Sequence, residues 1–214
     1  MKVGTKSILF GVHQFILHPI TVFIAWWKLY GFPNKIQYYV AFIVHDWGYW
    51  GKPNMDGKEG ETHPELGAKI MHRLFDNRMV GNHILPIERA NDKFYEIFFI
   101  WYNFTLYHSR YYAKRNNAQI SKLCVADKYA FCVLPKWLYL LLCNMSGEIK
   151  EYMITSRQRE GKEPLTNQSE WYDRVYKYMQ DWTKEHKDNL NDSWTKIVPI
   201  NKEQIAKSTT CSYD

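Results

Sequence analysis

The chain has 214 residues, of which 46% are hydrophobic and 23% charged; this fits one sizeable globular core and leaves little room for a second. The formal net charge of +6 favours anionic partners such as phosphates and allows nucleic acid. The four cysteines show no CxxC spacing. Their pattern argues against a disulfide framework and favours reduced thiols in a cytoplasmic protein.

Residues 8–27 form the first apolar segment, and they are long enough to span a bilayer. Two histidines, a glutamine and Pro19 interrupt the run, and no small-residue cleavage site follows it. We therefore expect a buried core helix and no stable membrane insertion.

The first two helices are predicted from apolar residues at helical spacing. Pro19 fits the first turn of a helix that stops at residues 31–33, and residues 34–46 continue as a second helix. The predicted buried faces are Ile20, Phe23, Ile24, Trp27 and Tyr30 in the first helix, and Ile36, Tyr39, Val40 and Ile43 in the second. A loop rich in Gly, Pro, Asp and Glu follows at residues 48–62.

The helical pattern continues to the end of the chain. Thr62, His63 and Pro64 open a third helix, with an apolar stripe formed by Leu66, Ile70, Met71, Leu74 and Phe75. Further helices are predicted at 87–114, 118–131 and 134–145, followed by a polar loop at 155–168. The last amphipathic helix carries Trp171, Val175, Tyr178 and Trp182, with Asn167 and Glu170 as a capping box.

No series of alternating strand patterns occurs in the sequence, so we predict an all-α fold. We expect a single domain at 1–200, with a core at about 10–145, a helical extension at about 165–195 and a flexible tail at 201–214.

The end of the second predicted helix raises a chemical question. The apolar run 41–44 leads directly into His45 and Asp46, and burying two such polar groups costs several kcal/mol together unless they are satisfied. A metal ion and a set of hydrogen bonds are the two alternatives.

Five segments in order resemble the HD superfamily of metal-dependent phosphohydrolases. They are LHPITVFIAWWKLYG, AFIVHDWG, THPELGAKI, LYHSR and VADKYA. The resemblance covers residues 10–145 and implies a single HD-like helical bundle. It also implies a phosphohydrolase of nucleotidase or phosphodiesterase type, acting on a small phosphate-containing, nucleotide-like substrate.

The resemblance also implies a set of metal ligands. Carried over by motif, the first metal site comprises His18, His45, Asp46 and Asp127. A second site would use His63, in the His-Pro-x-x-Gly motif of a binuclear subgroup, and His108. One or two divalent ions are implied, and the residue types do not choose among Mn, Mg, Fe, Co and Zn.

The sequence differs at two positions from the cyclic dinucleotide phosphodiesterases of this superfamily. Tyr49 stands where the cyclic dinucleotide phosphodiesterases usually have lysine, and His108 lies in Tyr-His-Ser rather than in His-His-Glu. These differences weigh against cyclic di-guanylate as the substrate.

Candidate catalytic residues besides Asp46 are Glu61, as a general acid or base, and Lys52, which can stabilise developing charge. A solvated charged loop is the alternative explanation of Glu61, and the one that a single loop carboxylate favours.

Candidate substrate-binding residues follow the ligand motifs. Trp47 and Tyr49 can stack on a base, and Arg110 and Lys114 can clamp a phosphate. Core packing and the helix dipole, respectively, are the alternatives for these residues.

The remaining histidines receive no chemical role from the sequence. We interpret His13 as a core or loop residue, His72 and His83 as surface residues, and His186, in the charged run KEHKDN, as solvated.

Three functions remain open at this stage. The first is the phosphohydrolase, the second an HD-type di-iron oxygenase with the same six ligands, and the third a basic binding module with a structural metal. The sequence does not define the oligomeric state.

Overall fold

The computed structural model describes residues 1–76, 99–158 and 165–192, and within these ranges every regular element is helical. Their α-helices are α1 (Val3–Phe10), α2 (Leu17–Tyr30), α3 (Ile36–Val44), α4 (Pro64–Met71), α5 (Ile100–Leu106), α6 (Arg110–Arg115), α7 (Lys122–Ala130), α8 (Lys136–Ser146), α9 (Glu148–Gln158) and α10 (Gln168–His186). Single 3-10 turns lie at Trp47–Tyr49 and Gly60–Thr62, and a π-helical turn at His72–Asp76. The predicted all-α class is confirmed. None of the described helices is both long and apolar enough to cross a bilayer.

One hydrophobic core joins the helices that carry the predicted ligands. Helix α2 packs on α7, and α4 packs on α3 and α5. The buried members of this core are Val22, Ala25, Trp26, Ala41, Phe42, Val44, Met71, Trp101, Leu123, Ala126 and Ala130. Burial of each large apolar side chain stabilises the fold by about 1.5–3 kcal/mol. The core therefore fixes the helix ends at which the ligands sit.

A second core holds the C-terminal part of the described chain. Helix α10 packs on α7, α8 and α9, and α1 packs on α8. Its buried centre includes Tyr139, Ile149, Trp171 and Tyr172. The Asn167 side chain accepts hydrogen bonds from the backbone N–H groups of residues 169 and 170, so Asn167 is the N-cap that the sequence predicts.

The predicted buried faces of α2, α3 and α4 are partly wrong. Ile20, Trp27, Ile36 and Ile43 are 45–64% exposed, and Leu66 and Leu74 are also exposed. In α2 and α3 apolar residues occur on all sides, so periodicity does not select a face. The buried faces contain the small residues Ala25 and Ala41, which allow close approach of neighbouring backbones.

Three other predictions need correction. Residues 87–98 of the helix predicted at 87–114 lie outside the described residues. From residue 99 onward the structure has two helices, α5 and α6, instead of one, and His108 lies in the break between them. The polar loop predicted at 155–168 is wrong at its start, because α9 continues to Gln158. Helices α1 and α9 were not predicted. The tail at 201–214 lies outside the described residues.

Candidate metal centre

The first group of candidate ligands gathers around His18. This residue lies in the first turn of α2, where Pro19 can sit without losing a helical hydrogen bond. Its Nε2 atom lies 3.0 Å from Asp46 Oδ2, 3.1 Å from Asp127 Oδ1 and 3.1 Å from His45 Nε2. The four residues each offer one donor atom, and these atoms all lie within 4.8 Å of one another.

The second group shares Asp46 with the first. The Nε2 atoms of His63 and His108 are 3.1 Å apart, and each lies 3.4 Å from Asp46 Oδ1. Asp46 therefore presents Oδ2 to one group and Oδ1 to the other. The geometry is that of a carboxylate able to bridge two cations.

Helix ends orient three of the histidine rings. The Nδ1 atoms of His45, His63 and His108 bond to the backbone carbonyl oxygens of Phe42, Gly60 and Thr105, at 3.1, 2.8 and 2.5 Å. Each acceptor lies three residues before its histidine. Because a carbonyl oxygen only accepts, Nδ1 carries the hydrogen in each of these bonds. When such a ring is neutral, its Nε2 atom has a lone pair that points toward the centre.

Two glycines allow the ligand segments to approach each other. A Cβ atom on Gly67 would lie 2.5 Å from Val44 O and 2.9 Å from the Cα of His45. A Cβ on Gly48 would overlap the backbone carbonyl of His63. Gly48 and Gly67 thus allow close backbone contact between the segments that carry His45 and His63.

Burial and neighbouring charges set the protonation states. Burial favours the neutral form of His18, but the hydrogen-bonded carboxylates of Asp127 and Asp46 outweigh it and raise the pKa of His18 to about 10. Burial raises the pKa of a carboxyl group, yet the surrounding histidines hold the pKa of Asp46 well below its ordinary value. Burial lowers the pKa of His63 to about 3. His63 is therefore neutral near pH 7, with a free lone pair.

The donor set fits metal ions. The Nε2 atoms of His63 and His108 face each other at 3.1 Å, close enough for one cation to contact both. Imidazole nitrogens and carboxylate oxygens suit divalent transition metals. Most of these side chains are at most 10% exposed, whereas Asp127 is 21% exposed. The first group is therefore the more open of the two.

The aromatic residues after Asp46 pack near the ligands. The ring of Tyr49 stacks on the ring of His63, with centroids 3.9 Å apart and planes 11° apart. Trp47 makes an edge-to-face contact with Phe15, with centroids 5.9 Å apart. Packing against His63 explains the position of the Tyr49 ring. That Trp47 and Tyr49 stack on a base stays a prediction.

The four charged candidates have different surroundings. Lys52 donates a 2.5 Å hydrogen bond to the hydroxyl of Thr62, the residue before His63. Glu61 is half-buried in the preceding 3-10 turn. Arg110 and Lys114 both pair with Asp192, at 2.6 and 3.0 Å. These pairs tie α6 to the segment after α10, and the catalytic and phosphate-binding roles stay predictions.

His186 differs from its interpretation in the sequence. His186 is fully buried, stacks on Trp182 with centroids 4.1 Å apart, and bonds through Nδ1 to the Trp182 carbonyl at 2.8 Å. Its charged neighbours in sequence concealed this packing. His13 lies in the loop before α2, as interpreted, and its Nε2 atom lies 4.0 Å from Asp46 Oδ2, beside the centre. The sequence feature that could have indicated this position is the spacing of five residues between His13 and His18 within an apolar segment.

His72 fits its surface interpretation in part, since its side chain is 28% exposed and contacts Asp76 at 3.5 Å. His83 lies outside the described residues.

Compared with protein families, curated proteins and solved structures, the chain matches none. The functional argument therefore rests on the residues and their geometry. The structure brings together all six residues that the motifs single out, in two buried groups that share Asp46 and can each hold a metal ion.

Proposed function

We propose that this protein is a metal-dependent phosphohydrolase that cleaves a phosphoester or phosphoanhydride bond of a nucleotide-like substrate. The observation that carries the proposal is the shared carboxylate of Asp46, which faces His18 and His45 through Oδ2 and His63 and His108 through Oδ1. Paired divalent ions held a few ångströms apart supply a water nucleophile at neutral pH and neutralise charge on phosphoryl oxygens.

The side chains of this chain have distinct tasks in that reaction. His18, His45, Asp46 and Asp127 would hold one ion, and Asp46, His63 and His108 the other. The more exposed Asp127 marks the side from which a substrate reaches the first group. The net charge of +6 favours the approach of a phosphate-bearing molecule.

The first experiment tests turnover and the need for oxygen together. Protein loaded with Mn²⁺ or Zn²⁺ is incubated anaerobically with nucleotides, cyclic nucleotides and dinucleotides, and the products are identified. We expect hydrolysis of at least one class, since phosphoryl transfer consumes no oxygen. We expect His45→Ala to lower the rate by at least about 100-fold. The matched control is His72→Ala, which removes a histidine paired with Asp76 outside the centre.

The other outcomes identify the alternatives. Product formation only with iron and molecular oxygen would replace the phosphohydrolase by a di-iron oxygenase. No turnover with any metal, together with unfolding on chelation, would indicate a binding module with a structural metal.

A further inference from the structure

His13 and Glu148 form a buried pair beside the candidate metal centre. Glu148 is the first residue of α9 and has no exposed surface. Its Oε2 atom lies 3.3 Å from His13 Nδ1. A buried carboxylate destabilises a fold unless it is paired and hydrogen-bonded.

Glu148 is fully hydrogen-bonded by residues that surround the loop before α2. Besides His13, the donors are the Ser7 hydroxyl at 2.7 Å, the Val12 backbone N–H at 2.9 Å, the Ser146 hydroxyl at 2.9 Å and the Tyr152 hydroxyl at 3.1 Å. A Cβ atom on Gly11 would lie 2.6 Å from Glu148 Oε1. The loop is therefore held against the carboxylate, and the position of His13 is fixed.

The opposite edge of the His13 ring faces the first group of ligands. Its Nε2 atom lies 4.0 Å from Asp46 Oδ2, and its ring centroid is 5.1 Å from that of His18. This separation is too long for a direct hydrogen bond and leaves room for an oxygen atom that accepts from Nε2 at about 2.8 Å. A carboxylate behind Nδ1 is also the support that commonly orients a functional imidazole.

His13 also lies on the open side of the centre. Its side chain is 19% exposed, close to the 21% of Asp127 and above the values for the other candidate ligands. Both residues adjoin His18. A ligand beside Asp46 Oδ2 would therefore meet the Nε2 edge of His13.

We propose that His13 is a substrate-binding residue, whose Nε2 forms a hydrogen bond with a phosphoryl oxygen at the first metal site, and that Glu148 is its positioning residue. This inference rests on the proposed function. The contact of Nδ1 with Glu148 turns the Nε2 edge of the ring toward the first group, where a ring N–H can donate to an anionic oxygen.

The test measures the binding of inorganic phosphate to Mn²⁺-loaded protein by calorimetry, with metal content determined for each variant. We expect His13→Asn to keep the metal content of the wild type and to weaken phosphate binding by about ten-fold or more. The matched control His72→Asn removes a comparable histidine–carboxylate pair and should leave phosphate binding unchanged.

A double-mutant cycle tests whether Glu148 acts through His13. Glu148→Gln should weaken phosphate binding in the wild type and have little further effect in the His13→Asn background. A merely structural role would lower the unfolding temperature equally in both backgrounds without this coupling. If Glu148→Gln does not fold, Ser7→Ala serves instead, since its hydroxyl contacts both Glu148 Oε2 and His13 Nδ1.

The remaining outcomes overturn the inference in distinguishable ways. Unchanged phosphate affinity in His13→Asn, with metal retained, would reject the role of His13 alone. Loss of a metal ion in this variant would make His13 a ligand rather than a substrate-binding residue. Metal-loaded wild type that binds no phosphate would contradict both the inference and the proposed function.

Discussion

Asp46 connects the two halves of the centre through its two carboxylate oxygens. Its Oδ2 atom lies 3.0 Å from His18 Nε2, and its Oδ1 atom lies 3.4 Å from the Nε2 atoms of His63 and His108. A single residue thus influences both groups, which makes it the most informative position to change.

Asp46→Asn should lower the metal content by at least about one ion per chain and reduce turnover by at least about 100-fold, because it removes the shared negative charge. Asp76→Asn is the control, since Asp76 is equally buried but accepts hydrogen bonds from the backbone N–H groups of Trp101 and Tyr102. An Asp46→Asn protein with wild-type metal content would show that Asp46 is not a ligand.

The two groups should differ in the protons that metal binding displaces. His18, with a pKa raised to about 10, is protonated at neutral pH, whereas His63, with a pKa lowered to about 3, is not. A ligand histidine must lose its proton to bind. In His63→Ala, which keeps the first group, binding of one Zn²⁺ near pH 8 should release about one proton. Calorimetry in buffers of different ionisation enthalpy measures this number, and a value near zero would contradict the assignment of His18.

At the scale of elements, helix boundaries near the site were predictable from local signals. Pro19 and Pro64 each lie in the first turn of a helix, and the run that ends in His45 stops where its apolar residues stop. These are short-range rules of backbone geometry, so the sequence alone contains them. The positions of His18, His45 and His63 at helix ends follow from them.

Other parts of the site depend on contacts between distant segments. The break at His108 has no glycine or proline to announce it. The contact between His13 and Glu148 joins residues 135 positions apart. His186 stacks on Trp182, which packs in a core with Ala113, Cys124 and Val125 from distant parts of the chain. Periodicity and capping rules do not contain such tertiary information, which is why these features were missed or misassigned.

The packing of α4 against the segment of His45 gives a prediction for Gly67. Gly67→Ala should favour the helix intrinsically by up to about 1 kcal/mol, but the added Cβ would overlap Val44 O and the Cα of His45. We expect net destabilisation by about 1–3 kcal/mol and weaker metal binding, measured by denaturant unfolding and metal titration. Lys69→Ala, on the exposed side of the same helix, is the control. A Gly67→Ala protein as stable as the wild type would show that this close approach is not needed.

At the scale of the whole molecule, the candidate ligands join four helices and the segments beside them around one core. Bound ions would therefore cross-link α2, α3, α4 and α7 beyond the packing that the core provides. The core is large enough that we expect the helices to persist without metal.

Chelation should accordingly lower the unfolding temperature while the helical circular dichroism spectrum at room temperature is kept. The shift reflects the free energy of unfolding that bound metal adds. This stabilisation depends on the ratio of the free metal concentration to the dissociation constant and is about 2.7 kcal/mol at a ratio of one hundred. Loss of the helical spectrum on chelation would favour a structural metal. An unfolding temperature that does not respond to any metal would argue against binding.

The central claim is that one chain holds two metal ions that share Asp46. Elemental analysis of protein reconstituted with Mn, Fe, Co or Zn and freed of excess metal measures this directly. We predict about two ions per chain in the wild type and in His72→Ala, and about one in His63→Ala. No more than one ion per wild-type chain after reconstitution with each of these ions would contradict the claim.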